Sequence, residues 1–265
     1  MRNLRLQVAY DGAEFFGWQR QDGFRSVQEA LEEAAYEVLG EPVTMHGSGR
    51  TDTGVHALRQ VASFHAHTQL ADDRLRHALN ANLPPSVVVD RLETCADDFH
   101  ARFSAVGKRY LYVVATSRFK PVWAERHAAW ARQALDFEAM RRAGEAFLGE
   151  HDFRGFSSTG SSPSTTVRRV RRLRWIPRRR RLAFVIEADG FLYNMVRAIA
   201  GTLLDVGRGR FGPERVAEVL TSGERAAAGP TAPPGGLYLL RVLYAEPAFV
   251  GGEPSERGTP GVFQP

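Results

Sequence analysis

The chain is poor in several residue types, and each scarcity excludes a class of protein. Cys95 is its single cysteine, so the 265 residues form no internal disulfide and no cysteine-based zinc site. Lysine is almost absent, since Lys108 and Lys120 stand against a total of 35 basic residues. No apolar run reaches the length of a membrane span, because the best candidate, residues 191–206, is interrupted by polar side chains.

The positive charge of the chain is carried by arginine. The formal net charge is +5 and the isoelectric point is about 9.7. Arginine is a good donor to phosphate oxygens and stacks on bases, so this balance favours a polyanionic partner, although a GC-rich genome would produce the same bias. The apolar content of 43% supports a substantial core, and the chain opens on a strand-like pattern rather than a secretory signal. A cytoplasmic location is therefore expected.

Hydrophobic periodicity in the first half predicts the order β-α-β-β-α-β, the split ferredoxin-like pattern. Ser26 and Glu29 have the spacing of a capping box, which opens the first helix. The predicted elements are a strand at 4–10, a helix from 27, strands at 42–46 and 58–67, a helix at 72–81 and a strand at 87–95.

The second half repeats the same order. Its predicted elements are a strand at 109–116, a helix from the Asp136 cap to 148, a hairpin of 167–176 and 182–188, a helix at 191–206, a helix with Pro213 near its first position and a strand at 237–244. The sequence therefore predicts an α+β protein of two ferredoxin-like halves with mainly antiparallel sheets and a cleft between them. The predicted units are residues 1–105 and 106–247, followed by a Gly/Pro-rich tail, 248–265, with little to bury. Residues 157–166 are rich in Ser and Thr and are predicted to form a mobile loop.

A glycine-rich segment, residues 47–57, holds a lone carboxylate; we call it the Asp52 turn. It reads Gly-Ser-Gly-Arg-Thr-Asp-Thr-Gly-Val-His-Ala, with Asp52 two residues after Arg50 and no second acid. Glycine permits tight or positive-φ backbone, and a neighbouring cation favours an ionised carboxylate. Asp52 is therefore a candidate nucleophile or base. The alternative is a polar turn in which Asp52 only caps the backbone.

The predicted hairpin carries a dense cluster of arginines without an intervening acid. The candidate phosphate-binding residues are Arg168, Arg169, Arg171, Arg172, Arg178, Arg179 and Arg180. A strand pair with one buried face would leave them on the exposed face and in the turn, where they could bind a nucleic-acid backbone. A solvated, salt-bridged hairpin is the alternative.

Three other segments hold candidate functional residues. The loop of residues 11–21 combines aromatics and amides with glycines, which suits either nucleotide contact or a cap on the core. Tyr110 could stack on a base or carry a proton, although a tyrosine in a strand is more often core. Arg197 lies in an apolar stretch and therefore needs a carboxylate partner or a cleft. Asp52 is the attractive partner, because Asp205 lies too far along the same helix.

Together these segments resemble the tRNA pseudouridine synthase A family over residues 4–244, in order and without a large gap. The string Arg-Thr-Asp-x-Gly-Val-His at residues 50–56 is the most specific of the matching motifs. The other motifs are Tyr-Asp-Gly at 10–12, Phe-Gly-Trp-Gln-x-Gln at 16–21, Phe-His-Ala-Arg-Phe-Ser-Ala at 99–105, Arg-Tyr-x-Tyr at 109–112, Phe-x-x-x-Met-Val-Arg at 191–197 and Gly-Leu-Tyr-Leu at 236–239. No matched catalytic position departs from the pattern.

The resemblance implies a homodimer that acts on uridines of the tRNA anticodon stem-loop. It makes Asp52 the catalytic aspartate, Arg197 its partner, and Tyr110 the residue packed on the target uracil. It also implies that Arg50 helps to position the flipped nucleotide and that Leu237 contacts the substrate. Because the isomerisation needs neither redox chemistry nor an external energy source, no cofactor is expected.

Two other functions remain open at this point. A non-catalytic RNA-binding protein on the same scaffold would use the basic hairpin and the aromatic loops equally well, but it gives no reason for Asp52. A metal-dependent nuclease would need a cluster of carboxylates or histidines. The pairs His46 with His56 and His65 with His67 lack a third ligand at a familiar spacing, so no metal and no membrane partner is expected.

Overall fold

The structure is a computed structural model that describes residues 1–160, 163–246 and 248–249. It confirms the predicted α+β class, with a large and mostly antiparallel sheet and helices packed against it. No helix within the described ranges is long and apolar enough to cross a membrane.

The first half folds with the strand order expected for a ferredoxin-like unit. Its elements are β1 (Arg2–Tyr10), α1 (Val27–Leu39), β2 (His46–Gly47), β3 (His56–Ala66), α2 (Asp72–Asn82) and β4 (Val87–Thr94). β1 lies between β4 and β3, β2 pairs with β3, and all of these pairs are antiparallel. The predicted capping box is present, because Ser26 accepts from Glu29 N and the Glu29 carboxylate accepts from Ser26 N.

The second half repeats this arrangement with additional short elements. The helices and strands of the second half are β5 (Ala105–Ala115), α3 (Ala124–His127), β6 (Ala129–Trp130), α4 (Phe137–Glu145), β7 (Gly149–Asp152), β8 (Val167–Arg178), β9 (Arg181–Ala188), α5 (Met195–Gly207), α6 (Arg215–Ser222) and β10 (Leu237–Tyr244). The strand order is β10-β5-β9-β8-β7, and β6 runs parallel to β5. Asp136 caps α4 as predicted, accepting from Ala139 N at 2.9 Å.

Within the described residues, the two halves share one continuous sheet of ten strands, where separate sheets were predicted. β10, the last strand of the chain, lies between β3 and β5. It pairs in parallel with β3 through Tyr238 opposite His56 and Leu239 opposite Ala57, and it pairs antiparallel with β5. The start of β3, where the Asp52 turn ends, therefore lies beside the second half. The boundary at residue 105 stays a prediction.

Alternation along β5 divides its side chains between the two faces of the sheet. Tyr110, Tyr112 and Val114 join the main core with the helices, whereas Leu111 and Val113 join a smaller cluster on the opposite face. The helix-covered face is the one that carries the candidate site, because Tyr110 and Tyr112 point towards it.

Several predicted boundaries are wrong, and the causes are non-local contacts. The helix predicted from residue 191 begins at Met195, because Asn194 takes a left-handed backbone with φ 60°. The strand predicted at 42–46 shrinks to β2, since Met45 N donates to the Glu32 side chain at 2.9 Å instead of to a strand. β5 begins at Ala105, earlier than predicted, because it pairs there with Tyr244 of β10.

The two segments predicted to lack structure are also better anchored than expected. In the loop of residues 157–166, Ser158 N donates to Tyr193 O at 3.1 Å; residues 161–162 lie outside the described part of the chain. At the start of the predicted tail, Phe249 is buried with its ring 5.3 Å from the Arg5 guanidinium. The remainder of the tail, from residue 250, lies outside the described residues.

Candidate active site

The Asp52 turn connects β2 to β3 and presents its carboxylate at the seam between the halves. Val55 N donates to Asp52 O at 3.1 Å and closes the turn. Gly54 has a φ of 77°, a conformation that disfavours any side chain, and Pro234 of the second half lies over it. The side chain of Asp52 is half-buried, with 26% of its surface exposed. The turn is therefore less exposed than a surface loop.

The end of β1 and the loop that follows it pack against the Asp52 turn and form hydrogen bonds with it. Trp18 N donates to Thr51 O at 3.0 Å, and the hydroxyls of Tyr10 and Thr51 lie 2.8 Å apart in a buried hydrogen bond. Gly17 has a φ of 90°, and a Cβ at that position would lie 2.5 Å from Thr51 O. Glycine is required there by both conformation and space. Of the aromatic residues in this loop, Phe15 and Trp18 are buried in the core, in agreement with the alternative that these aromatics cap the core.

Arg197 reaches the Asp52 turn from α5 in the second half. Its Nη1 lies 3.2 Å from Asp52 Oδ2, and the two residues are 145 positions apart in the sequence. The same guanidinium donates from Nε to Ala232 O at 2.8 Å and from Nη1 to Asn194 Oδ1 at 2.8 Å. The planar guanidinium is thus fixed at Nε by Ala232 O, while its Nη1 is shared between Asn194 Oδ1 and the Asp52 carboxylate. Asp205, the other acid considered, instead pairs with Arg208 and Arg210.

Asn194 is a site residue that sequence reasoning missed. Among the described residues it is the single non-glycine with a positive φ, and its side chain accepts from Arg197 and donates to Ser158 Oγ at 3.1 Å. A strained backbone next to a charged pair is typical of functional sites. The only sequence signal was an asparagine, the residue type that tolerates this conformation best, at the start of the helical pattern.

Two opposing effects set the protonation of Asp52. Burial raises the pKa of the Asp52 carboxyl above its ordinary value, while the charge and hydrogen bond of Arg197 lower it. Removal of Arg197 would leave the effect of burial unopposed. A residue of the other half therefore favours the ionised form of this carboxylate.

The floor of the site is formed by β5 and β10. Tyr110 is buried, and Phe191 packs edge-on against its ring at 5.0 Å between centroids. Burial, with Tyr10 and Asp52 nearby, raises the pKa of the Tyr110 hydroxyl far above its ordinary value. The hydroxyl therefore stays protonated at neutral pH, which favours packing over a role as a base. Leu237 is also buried, opposite Tyr112 in the strand register, and Arg50 is exposed.

The predicted phosphate-binding arginines form two groups at opposite ends of β8. Arg168 is half-buried and donates to Thr165 O, while Arg171 donates to Val106 O at 3.0 Å beside the start of β5. Arg169 forms a surface ion pair with Glu150 at 3.2 Å. The exposed side chains of Arg172, Arg179 and Arg180 have no ion-pair partner in the described part of the chain.

A metal could be considered at only one group of side chains in the described ranges. Donor atoms of Asp11, His56 and His127 all lie within 4.8 Å of one another. However, His56 Nδ1 accepts from Gly12 N at 3.1 Å, and His56 Nε2 donates to the carbonyl oxygen of Arg126 at 2.8 Å. Burial lowers the pKa of His56, so a neutral ring tied at both nitrogens is the favoured state. This arrangement favours a structural link between the halves over a metal site.

Known proteins that resemble this chain in sequence match it over the region that holds these site residues. A family model described as tRNA pseudouridine synthase matches residues 7–104 and 143–245. The tRNA pseudouridine synthase A of Acetivibrio thermocellus is 43% identical over 244 residues, covering 92% of this chain and 100% of that protein. The tRNA pseudouridine synthase A 2 of Clostridium perfringens is 41% identical, and the tRNA pseudouridine synthase A of Thermoanaerobacter sp. is 43% identical, both with the same coverage.

Proposed function

The chain belongs to the tRNA pseudouridine synthase family, and on that premise we propose that it isomerises uridine to pseudouridine in tRNA with Asp52 as its catalytic residue. One observation supports this assignment most directly. The single carboxylate of a glycine-rich turn meets an arginine of the other half at 3.2 Å. A protein that only bound RNA would have no need for such a half-buried pair.

The reaction needs little beyond these groups. The N1–C1′ bond of the target uridine breaks, the uracil turns, and a new bond joins C5 to C1′. The hydrogen on C5 leaves as a proton, and N1, freed from the ribose, takes up a proton. Asp52 would attack C1′, add to C6 or take a proton from C2′, and each route requires its ionised form. Because substrate and product are isomers, no electron donor or acceptor takes part, and the proposal includes no cofactor.

The target base must leave its stack before it can meet Asp52, which costs stacking and pairing energy. Tyr110 and Leu237 would pack on the flipped uracil, and Arg50, exposed at the edge of the turn, would help to position the nucleotide. The arginines at the two ends of β8 would hold the RNA backbone through contacts that carry no sequence information. Selection of the uridine would then depend on placement of the arm more than on base edges.

The anticodon stem-loop as target, the homodimer and the cytoplasmic location are finer parts of the proposal. A two-fold pair would double the net charge of +5 per chain and extend the basic surface along one tRNA. Light scattering at micromolar concentration, followed by activity across a dilution series, tests the dimer. A monomer that is fully active on whole tRNA would remove the dimer from the proposal.

The reaction itself is tested with tRNA labelled with tritium at C5 of uridine. Release of tritium into water without added metal or cofactor is the expected result, and labels confined to the anticodon stem-loop locate the target. Binding without release would support the non-catalytic alternative. If the tRNA is cleaved, and a chelator prevents this cleavage, a metal-dependent nuclease would be supported instead.

A further inference from the structure

Lys108, one of the two lysines of the chain, lies on β5 next to the Asp52 turn. It shares a strand face with Tyr110, two residues along, and its side chain crosses to the first half. A Cβ added to Gly49 would lie 2.8 Å from Lys108 Nζ and 3.0 Å from Lys108 Cε. The amine therefore lies directly against the backbone of the turn that carries Asp52.

The charge of Lys108 has no acidic partner. In the described part of the chain no carboxylate forms an ion pair with its amine, and the charges that act on it most strongly are those of Arg102 and Arg168. Burial, together with these two cations, lowers the pKa of Lys108 to about 8. Three cations close enough for their charges to interact are costly to bring together unless an anion joins them.

The surroundings of Lys108 also suit a nucleotide. Phe103 is 76% exposed, an unusual state for a phenylalanine, and its ring packs against His100 at 4.4 Å between centroids. The Arg102 guanidinium lies 5.5 Å from the same ring. An exposed aromatic ring with an arginine beside it is a surface on which bases of single-stranded RNA stack.

We propose that Lys108, with Arg102 and Arg168, binds a phosphodiester group of the RNA strand next to the target nucleotide. The inference rests on the proposed function, in which Tyr110 packs on the flipped uracil. Two residues of β-strand separate Lys108 from Tyr110, a distance of about 6.8 Å. A base and the phosphate of its own or the adjoining nucleotide are separated by only a ribose, so both groups fit this spacing. Lys108 would thus hold the strand while the base occupies the site.

The test measures tRNA binding as a function of salt in the Asp52→Asn background, so that turnover does not interfere. We expect Lys108→Met to weaken binding about tenfold, as expected for one charge-assisted hydrogen bond. The slope of log affinity against log salt should become shallower by about 0.7–0.9. Lys108→Arg should keep the wild-type slope. Lys120→Gln is the matched control, because Lys120 is an exposed lysine already paired with Glu125.

A second readout separates phosphate binding from a structural role. Since Lys108 is charged at a cost in the RNA-free protein, Lys108→Met should unfold at a temperature no lower than that of wild type. A lower unfolding temperature together with an unchanged salt slope would overturn the proposal. Tritium release by wild type is measured first, because its absence would overturn the proposed function itself. Release by wild type with no change of slope in Lys108→Met would overturn only the assignment of Lys108.

Discussion

The Asp52 turn and the β8–β9 hairpin both contain arginine, but they are built in opposite ways. Contacts that hold the turn are non-local: Arg197 lies 145 residues from Asp52, and Tyr10 lies 41 residues from Thr51. Contacts in the hairpin are often local, as when Arg178 donates to the neighbouring Pro177 O. The turn should therefore depend on individual atoms, whereas the hairpin should depend on its total charge.

The largest expected effect is that of Asp52→Asn. The amide has nearly the same shape but cannot act as a nucleophile or base, so single-turnover activity should fall by about 10³-fold or more. Because burial already raises the pKa of Asp52, removing its charge should leave the stability unchanged or slightly higher. Tritium release and thermal unfolding measure the two effects. Asp22→Asn, at an exposed loop position, is the control, and near wild-type activity of Asp52→Asn would exclude a catalytic role.

Arg197→Lys comes next in size. The guanidinium uses separate nitrogens for Ala232 O on one side and for Asp52 and Asn194 on the other, and an ammonium cannot reproduce this geometry. We expect activity to fall by about 10²-fold, which corresponds to the loss of positioning and of part of the electrostatic support. Arg141→Lys, in an exposed ion-paired site on α4, should be neutral. A fully active Arg197→Lys would show that Arg197 is an ordinary surface charge.

A comparison of two glycines between β1 and α1 distinguishes the effect of backbone strain from the effect of crowding against the Asp52 turn. Gly17 and Gly23 both have positive φ, but a Cβ on Gly17 would meet Thr51 O at 2.5 Å, whereas Gly23 faces open space. Gly17→Ala should therefore lower the unfolding free energy by about 1–3 kcal/mol more than Gly23→Ala does. Chemical denaturation measures both variants. Equal losses would mean that the loop does not press on the Asp52 turn.

The smallest effect on catalysis is expected in the hairpin. Replacing Arg178, Arg179 and Arg180 by Ala should weaken tRNA binding and reduce the salt slope by about one unit per lost phosphate contact. Activity at saturating tRNA should stay near wild type. Replacing Arg132, Arg141 and Arg142, three exposed arginines elsewhere, is the charge-matched control. An unchanged salt slope in the hairpin variant would show that these arginines do not contact phosphates and only form a solvated surface.

The sequence predicted those features that depend on neighbouring residues. The Ser26–Glu29 capping box and the Asp136 cap need only local spacing, and alternation of apolar residues was sufficient for most strands. The repeated order of elements, and hence the α+β class, followed from these local patterns. The pairing of Arg197 with Asp52 could be suggested because an arginine in an apolar stretch requires an acid.

Most other features that depend on distant residues escaped prediction. Nothing local indicated that β10 would enter between β3 and β5 and make one sheet of the two halves. The meeting of His127 with Asp11 and His56 is equally non-local, which is why a search for familiar histidine spacings did not find it. The left-handed Asn194 is held in part by a tertiary contact, the hydrogen bond that its side chain donates to Ser158, 36 residues away.

The pH dependence of single-turnover activity tests most directly the claim that Asp52 acts in its ionised form and that Arg197 favours this form. Activity should fall as the pH drops through the pKa of Asp52, which burial places above the ordinary 3.8. In Arg197→Met the lowering effect of the guanidinium is lost, so the acid limb should move to higher pH. In Arg197→Lys, which keeps a cation, it should move less. An acid limb at the same pH in wild type and in Arg197→Met would contradict the account.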